Sequence, residues 1–419
     1  MNKIIMNGSN IGTVVDNALC TACGACAGIC PNRAIKMIEN SAGFVCAEID
    51  VSKCSDCTVC LKVCPSNGGN KCEDLIGTIH KGYVGYASDE NIRQSGQSGG
   101  IVTALLQYLL SKELIDAVVV TKFNVNELRA ESFITDDPSR ILESCGSHYT
   151  QTSPIELILN NKEKRMAAVL LGCQTAALEQ ILTIKKNLKL NIITLGLICG
   201  GNLSGLMVDD IISYAKVDSS KVNFFRYRDK KNTGWPGDIV IKTDDTICIP
   251  KEYRMEVKQY YRSYRCMLCA EKMNQCADIV VGDPWGINLK SKLGFSVILS
   301  RTVKGDELLK DAANNECIFL EDLKIADILA GQKIMPEKFE ELYIYSKILL
   351  KAGWKNPYQP VSLQSCLDKR KSKQCIKNLK FARKMYLCQN RKNVIRIIKL
   401  KKYHKVIREY AYKCIKKLK

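Results

Sequence analysis

Histidine is nearly absent from this sequence. The chain of 419 residues contains three histidines, His80, His148 and His404. Zinc hydrolases and Ser-His-Asp enzymes use imidazole as a metal ligand or a base, so such chemistry would have little to work with here. The composition therefore favours electron transfer over hydrolysis.

Long apolar runs are missing as well. The first residues, MNKIIMNGSNIG, contain neither a continuous apolar segment nor a small-residue cleavage site, so they do not resemble a secretory signal. The longest uncharged stretch, residues 190–208, contains four glycines and two asparagines, which is typical of a buried strand and a turn. It is a poor candidate for a membrane span. We therefore expect a cytoplasmic protein without a transmembrane helix.

Acidic residues are scarce after Lys355, where only Asp368 and Glu409 oppose many lysines and arginines. The formal net charge of +19 arises almost entirely there. Apolar residues recur among the basic ones at roughly helical spacing: Leu379, Met385, Ile395, Ile398, Tyr403 and Ile407. Three interpretations of this tail are open: a helix docked on the domain, peripheral contact with an anionic inner membrane face, or, less favoured, nucleic-acid binding.

Cysteine, in contrast, is abundant, and it is grouped in motifs. The chain contains 22 cysteines. In a reducing cytoplasm, such groups favour metal binding over disulfides.

Two runs near the N-terminus share one spacing. Residues 20–31 read CTACGACAGICP and residues 54–65 read CSDCTVCLKVCP, and both match C-x2-C-x2-C-x3-C-P. Three closely spaced thiolates bind one [4Fe-4S] cluster, and the fourth cysteine of each run binds the other cluster. The predicted ligand sets are Cys20, Cys23, Cys26 with Cys64, and Cys54, Cys57, Cys60 with Cys30.

The segment between the runs, IKMIENSAGFVCAEID, predicts two short strands around Ser41 to Gly43. Residues 12–75 thus resemble a bacterial-type two-cluster ferredoxin, which implies a docking site for a redox partner protein. Zinc knuckles are the alternative, but they need four cysteines once and do not interleave. Cys46 and Cys72 fall outside the pattern and are predicted to be packed thiols.

A Gly/Ser-rich loop follows at QSGQSGG and leads into an apolar helix. Ser98, Gly99 and Gly100 stand where that helix should begin. The exposed N–H groups and the positive dipole of a helix start can receive a phosphate or an anionic flavin edge. An ordinary helix cap is the alternative.

Four more cysteines follow predicted strands or form a turn. In AAVLLGCQTAALEQIL and NIITLGLICGG, Cys173 and Cys199 follow buried strands, and Cys266 with Cys269 form a C-x2-C turn. Because ligands collect at the carboxyl edge of a parallel sheet, these four thiols are predicted to form a third [4Fe-4S] site, or a zinc site. Ordinary buried thiols are the alternative for the strand-end pair. If Cys173 or Cys199 is not a ligand, Cys145 and Cys276 are the candidates to replace it.

Six stretches together resemble the coenzyme F420 hydrogenase/dehydrogenase beta-subunit family over roughly residues 80–340. In family order they are QSGGIVTALL, SCGSHYTQTSP, LLGCQTAAL, LICGG, RCMLC and ADIVVGDPWG. The resemblance implies an FAD-binding domain with its own iron-sulfur site. It also implies electron transfer between ferredoxin-type clusters and a hydride carrier such as coenzyme F420, or an organic substrate. Relatives with a fused ferredoxin resemble proteins of bacterial polysaccharide gene clusters, which suggests a role in polysaccharide biosynthesis.

The resemblance also implies individual site residues. The implied flavin-binding residues are Ser98, Gly99, Gly100, Thr103, Gly146, Ser147 and Tyr149. The family's cysteine positions are Cys173, Cys199, Cys266 and Cys269. The sequence departs from the family pattern at two positions. Gly172 precedes Cys173 where the family usually has Thr-Pro, and His148 stands where lysine is usual. No catalytic residue is assigned, although His148 and Asp283 are candidates for protonating a substrate.

Three parts are therefore predicted: an α+β ferredoxin-like module (1–78), an α/β flavoprotein domain with a mostly parallel sheet (79–345), and a basic α-helical tail (346–419). The predicted function is an iron-sulfur flavoprotein oxidoreductase. An electron-transfer subunit without its own reaction and a nucleic-acid-binding iron-sulfur protein are the alternatives.

Overall fold

The structure is a computed structural model that describes residues 10–68, 74–334, 338–358 and 369–417. Cys72 lies outside the described residues. The strands are β1 Ile35–Glu39, β2 Val45–Ile49, β3 Lys81–Ala87, β4 Ala117–Asn124, β5 Arg129–Thr135, β6 Met166–Leu171, β7 Ile192–Leu197, β8 Phe224–Asp229, β9 Asp238–Lys242, β10 Thr246–Ile249, β11 Ile279–Gly282, β12 Ser296–Ser300 and β13 Ile318–Asp322.

Helices connect and cover these strands. They are α1 Gly12–Asp16, α2 Ala25–Ile29, α3 Val59–Lys62, α4 Glu90–Ser95, α5 Ile101–Ser111, α6 Pro138–Leu142, α7 Pro154–Asn160, α8 Gly172–Ile184, α9 Leu206–Ala215, α10 Lys251–Tyr261, α11 Tyr264–Met267, α12 Val303–Asn314, α13 Ile325–Gly331, α14 Phe339–Ala352, α15 Lys369–Tyr386 and α16 Arg391–Lys417, with a 3-10 turn at Ser219–Lys221. The predicted start of the tail at residue 346 falls inside α14.

The N-terminal module contains the predicted pair of strands. β1 and β2 pair antiparallel around a turn in which the Asn40 side chain accepts the N–H groups of Ala42 and Phe44, both at 3.0 Å. Gly43 in this turn has φ +75°, a conformation that glycine adopts without strain. The predicted hairpin is therefore confirmed.

An eight-stranded sheet forms the centre of the chain, in the order β13-β3-β12-β11-β7-β6-β4-β5. The neighbours β11, β7, β6 and β4 are parallel, while the pairs at both sides of them are antiparallel. The short turn from β4 to β5 permits only antiparallel pairing. The predicted mostly parallel sheet is thus parallel in its middle and mixed at its margins.

The carboxyl edge of this sheet collects the loops of interest. β3 runs in the same direction as β11, because each pairs antiparallel with β12. The loops after β3, β6, β7 and β11 therefore leave from one edge. A separate antiparallel sheet, in the order β10-β9-β8, supplies further side chains to the same region.

The basic tail packs against the body of the protein. Leu379, Met385 and Ile398 are buried in a hydrophobic cluster shared with the N-terminal module and with α9 and α10. Tyr386 stacks on Phe44 of the ferredoxin-like hairpin, with 5.4 Å between ring centroids. The docked-helix interpretation is therefore supported by contacts.

Charged contacts fasten the same tail. Arg391 binds Glu39 of the N-terminal module at 3.1 Å and Asp209 of α9 at 2.8 Å. Ile395 and Tyr403 remain exposed, and the side chain of Ile407 lies outside the described set. No helix in the described part of the chain is long and apolar enough to cross a membrane.

Replacing Leu379 with alanine is expected to destabilise the protein by about 2–5 kcal/mol, because a fully buried leucine side chain is lost from the core. The measurement is the thermal midpoint of the full chain. Leu400→Ala is the matched control, since Leu400 is 50% exposed in the same tail, and it should change the midpoint little. Equal effects of the two changes would contradict the docking of the tail.

Candidate iron-sulfur and cofactor site

The four cysteines of one predicted N-terminal set line a single pocket. Cys30 enters it from the first motif, and Cys54, Cys57 and Cys60 enter from the second. Cys57 is exposed and Cys60 is buried, so this pocket reaches the protein surface. We call this group the outer set. The structure brings the interleaved cysteines together, and their role as ligands stays a prediction.

The other N-terminal set lies deeper. Cys20, Cys23 and Cys26 are buried. Burial raises the pKa of Cys26 well above its usual range, and the neighbouring charges of Cys20, Cys23 and Cys64 raise it further. We call Cys20, Cys23, Cys26 and Cys64 the inner set. The structure also places Cys46 behind them as a buried thiol, in agreement with its predicted packing role.

The four central cysteines also converge. Cys173 lies in the first turn of α8, and Cys199 follows β7, the neighbour of β6 in the sheet. Burial raises the pKa of Cys173 well above its usual range. The nearby charges of Cys269, Cys266 and Cys199 raise this pKa further. Cys266 lies in α11 and Cys269 in the turn after it. We call these four the central set.

The two substitute cysteines lie elsewhere. Cys145 is buried with its sulfur 3.3 Å from the Thr103 hydroxyl. Cys276 is exposed, and its charged neighbours are Glu271, Glu179 and Arg301 instead of cysteines. Neither is placed to substitute for a member of the central set.

Backbone N–H groups donate to the sulfurs of all three sets. The donors are Ala22 to Cys20 (3.4 Å), Ala34 to Cys30 (3.4 Å), Ser66 to Cys64 (3.4 Å), Gly201 to Cys199 (3.3 Å), Asn202 to Cys266 (3.2 Å) and Glu271 to Cys269 (3.3 Å). Such bonds stabilise sulfur carrying negative charge and tune iron-sulfur clusters. The residues present therefore fit [4Fe-4S] clusters.

Four cysteine side chains can serve either a zinc ion or a [4Fe-4S] cluster. Zinc needs four ligands converging on one ion, whereas each cysteine of a [4Fe-4S] site binds a different iron. Among the described residues, no group of three or more His, Cys, Asp or Glu side chains is arranged to hold a single metal ion.

Burial sets the protonation of these thiols. It raises the pKa of both Cys20 and Cys199 to about 12, so both are neutral at pH 7 without iron. Because only thiolate binds iron, loading the sites must release protons. Cluster assembly is therefore expected to become easier as pH rises.

Gly172 departs from the family pattern for a packing reason. A Cβ at this position would lie 2.1 Å from the backbone oxygen of Glu271, just after the C-x2-C turn. No larger residue fits without moving that turn. The glycine therefore lets α8 and Cys173 approach Cys269 closely.

The three sets lie in series. Burial is the largest cause of the raised pKa of both Cys26 and Cys173. The charge of Cys60, in the outer set, also raises the pKa of Cys26 in the inner set. The charge of Cys23, in the inner set, also raises the pKa of Cys173 in the central set. Hydrogen bonds support the second junction, since Arg265, directly before Cys266, donates to the Ser66 hydroxyl at 2.6 Å, and the Ser66 N–H donates to the sulfur of Cys64 at 3.4 Å. The order is outer, inner, central.

The predicted Gly/Ser loop lies at the carboxyl edge beside the end of β11. Ser98 donates its hydroxyl to Asp283, the residue directly after that strand. A Cβ at Gly99 would lie 2.5 Å from the Gly85 carbonyl oxygen, and Gly100 begins α5 with φ +81°. The loop is therefore held tightly against the sheet. Thr103, in the first turn of α5, faces Cys145 instead of open space.

The second predicted loop contains both open space and a constrained histidine. An added Cβ at Gly146 would meet no atom within 4 Å. Ser147 is half-buried beside it. The ring of His148 bonds the Ser144 carbonyl at 3.1 Å, and burial lowers its pKa to about 4. The imidazole is thus neutral at pH 7 and a poor proton donor there.

A buried cationic group at this edge was missed by sequence reasoning. It consists of the buried residues Arg228, Lys230 and Arg254, with the half-buried Arg226 beside them. Arg228 binds Asp283 at 2.8 Å, and Arg254 donates to the Tyr149 hydroxyl at 3.0 Å. Burial and then the neighbouring arginines lower the pKa of Lys230 to about 7. The basic run RYRDKK was the available signal, but it does not locate the side chains.

The cationic group has bonding capacity left over. Arg228 Nη2 and Arg254 Nε are buried without a hydrogen-bond partner among the described residues. Beside them, Trp235 and Trp285 lie with ring centroids 4.7 Å apart, and Trp285 is exposed. Unpaired buried donors next to exposed aromatic surface suit an anionic, aromatic ligand.

Two matches belong to one family, described as the beta subunit of coenzyme F420 hydrogenase/dehydrogenase. Residues 82–160 match its N-terminal region, and residues 163–325 match its C-terminal region. Residues 19–67 match the "4Fe-4S dicluster domain".

Individual relatives are consistent with these matches. The F420-dependent formate dehydrogenase 1 subunit beta of Methanococcus maripaludis is 27% identical over 55% of this chain and 58% of that protein, so the match spans little more than half of that relative. The coenzyme F420 hydrogenase subunit beta of Methanococcus voltae is 25% identical over 61% of this chain and 89% of that protein.

A solved structure shares the fold. A chain of the F420-reducing [NiFe] hydrogenase complex from Methanosarcina barkeri superposes with a TM-score of 0.51 and 19% identity, covering 67% of this chain and 94% of that one. The two family matches together cover more than half of the chain, and the dicluster match accounts for the N-terminal motifs. The protein therefore belongs to the coenzyme F420 hydrogenase/dehydrogenase beta-subunit family and carries an iron-sulfur dicluster domain in front of it.

Proposed function

We propose that this protein is an iron-sulfur flavoprotein oxidoreductase with three [4Fe-4S] clusters and FAD. Electrons from a partner protein enter at the outer set and leave through a cofactor held at the carboxyl edge of the sheet. The observation that carries this proposal is that Cys173, Cys199 and the Arg228–Asp283 pair all lie at the carboxyl edge of the sheet, where β6, β7 and β11 end.

The outer set is the entry point because it is the one that reaches the surface, with Cys57 exposed. The inner set follows, shielded by α7 and by the tail. The central set is completed at the ends of β6 and β7, and Asp283 follows the adjacent strand β11. One-electron carriers in this order deliver electrons to the edge where the cationic group lies.

The cationic group would hold the negatively charged part of FAD. Arg228 Nη2 and Arg254 Nε are the donors available to a pyrophosphate oxygen. Asp283 positions both Arg228 and Ser98, which fixes the Gly/Ser loop against the same site. Bound FAD supplies the conversion between one-electron carriers and two-electron hydride chemistry.

Lys230 keeps the walls of this site together. Its ammonium group donates to the carbonyl oxygens of Arg93 and Ser98, both at 2.7 Å, and to that of Leu293 at 2.5 Å. These three carbonyls belong to segments before α5 and before β12. The lysine therefore holds the two segments together beside the cationic group.

The final substrate is a hydride carrier or an organic molecule. Relatives named as F420-dependent enzymes make a deazaflavin the first carrier to assay. Their names as subunits also suggest that this chain works with a partner protein. A step in polysaccharide biosynthesis is the alternative setting.

Anaerobic purification with iron, sulfide and flavin analysis tests the proposal. We expect about twelve irons and one FAD per chain, since each [4Fe-4S] cluster contributes four irons. About eight irons without flavin would contradict it and favour an electron-transfer subunit. Reduction of FAD by reduced ferredoxin, followed by assays with F420 and nicotinamide carriers, would then identify the acceptor.

A further inference from the structure

A fully buried arginine lies between the inner and central sets. Arg265 is 1% exposed and immediately precedes Cys266 of the central set. On its other side, its Nε donates to the Ser66 hydroxyl at 2.6 Å. The backbone N–H of Ser66 in turn donates to the sulfur of Cys64 in the inner set. One side chain therefore adjoins both sets.

Among the residues that the structure describes, no carboxylate forms an ion pair with Arg265. Among the described residues, the remaining side-chain bond of Arg265 goes to the neutral Tyr358 hydroxyl at 2.9 Å, and its Nη1 is buried without a partner. The Glu271 carboxyl is attracted to the guanidinium, but burial nonetheless raises the pKa of that carboxyl. Arginine does not lose its proton inside proteins, so burial leaves a full positive charge in place. An uncompensated buried charge costs several kcal/mol, which requires a counter-charge nearby.

The cysteine sets are the available counter-charge. Arg265 directly precedes Cys266 in the chain and reaches Cys64 through the Ser66 hydroxyl, so both sets lie next to its charge. A cluster bound by four thiolates carries net negative charge, and accepting an electron adds one more negative charge. A fixed positive charge between two such clusters therefore stabilises the reduced form of each.

We infer that Arg265 is a shared electrostatic positioning residue that raises the reduction potentials of the inner and central clusters together and leaves the outer cluster unaffected. This inference rests on the proposed three-cluster arrangement. It raises the potentials of the inner and central clusters relative to that of the outer cluster, which favours inward movement of an electron that enters at the outer set.

The test is a redox titration of the whole holoprotein followed by electron paramagnetic resonance. In Arg265→Gln, the equilibrium constants for one-electron reduction of the inner and central clusters are expected to fall about tenfold. This corresponds to a decrease of about 59 mV in each reduction potential. The outer cluster serves as the internal reference and should stay within about twofold, or about 18 mV. Arg265→Lys, which keeps the charge, should remain close to the wild-type values.

Arg301→Gln is the matched control. Arg301 is 7% exposed and donates to the backbone carbonyls of Ile76, Thr78 and Met273, away from the three sets. Its loss should leave all three potentials in place. Unchanged inner and central potentials in Arg265→Gln, an equal shift of the outer cluster, or an equal shift in Arg265→Lys would overturn the inference.

Loading of the variants decides the remaining cases. If Arg265→Gln binds only the outer cluster while Arg265→Lys loads fully, the charge is required for assembly, which supports the inference. If both variants lose the inner and central clusters, shape and not charge is responsible, and the inference fails. Absence of the central signal from the wild type would instead refute the proposed function, so the two failures are distinguishable.

Discussion

Cys173→Ser is expected to remove about four of about twelve irons, since serine presents no thiolate at one corner of the central cluster. The inner and outer clusters should stay loaded, because their cysteines belong to the N-terminal motifs. Reduction of bound FAD by an electron donor at the outer set should fall to background. Iron analysis and the spectrum of each cluster measure the effect.

Two other cysteines provide the controls for this change. Cys145→Ser and Cys276→Ser should keep all the iron, because neither lies with the central set. If Cys173→Ser retains the full iron content, Cys173 is not a ligand of the central cluster. Loss of iron from Cys276→Ser would show that the exposed cysteine takes part after all.

Arg228→Gln is expected to weaken FAD binding by about 30-fold to 1000-fold. Removing one partner of a buried charge pair costs at least about 2 kcal/mol, and about 2–4 kcal/mol corresponds to this range, since each 1.4 kcal/mol is a factor of ten in affinity. The change also leaves Asp283 without its charged partner and loosens the Ser98 loop. Flavin content after purification and the Kd for added FAD are the measurements.

Arg301→Gln serves again as the control, because Arg301 is buried to the same extent, 7% exposed, at a distance from this site. It should lower stability without changing the affinity for FAD. Equal flavin loss in both variants would attribute the effect to general destabilisation. Unchanged flavin binding in Arg228→Gln would exclude the cationic group as the anion site.

The grouping of the N-terminal cysteines could be predicted because the information is local, while their role as ligands stays a prediction. A spacing of two or three residues between cysteines leaves few ways to arrange them, and the repeat of the motif indicates the exchange of Cys30 and Cys64. The central set was also predictable, since Cys173 and Cys199 follow strands that proved to be neighbours. The physical reason is that parallel strands joined by helices end at one edge.

The cationic group could not be predicted in the same way. Arg228 belongs to β8 in the smaller sheet and Arg254 to α10, and neither element is adjacent in sequence to the Gly/Ser loop. Only packing brings them to Asp283 and Tyr149. The basic tail illustrates the same limit, because its composition left three interpretations open, and the burial of Leu379 shows that part of the tail packs on the body of the protein.

The sequence by itself determined the redox chemistry, the grouping of cysteines and the order of strands and helices, since these depend on residue type and spacing. Tertiary structure alone decided which cysteine sets lie next to each other. It also decided which buried arginine side chains have no carboxylate partner among the described residues. It also decided where the tail docks. Burial and charge balance depend on every surrounding segment, and Arg265 acquires its position between two cysteine sets from Ser66 and Tyr358, which lie far away in the chain.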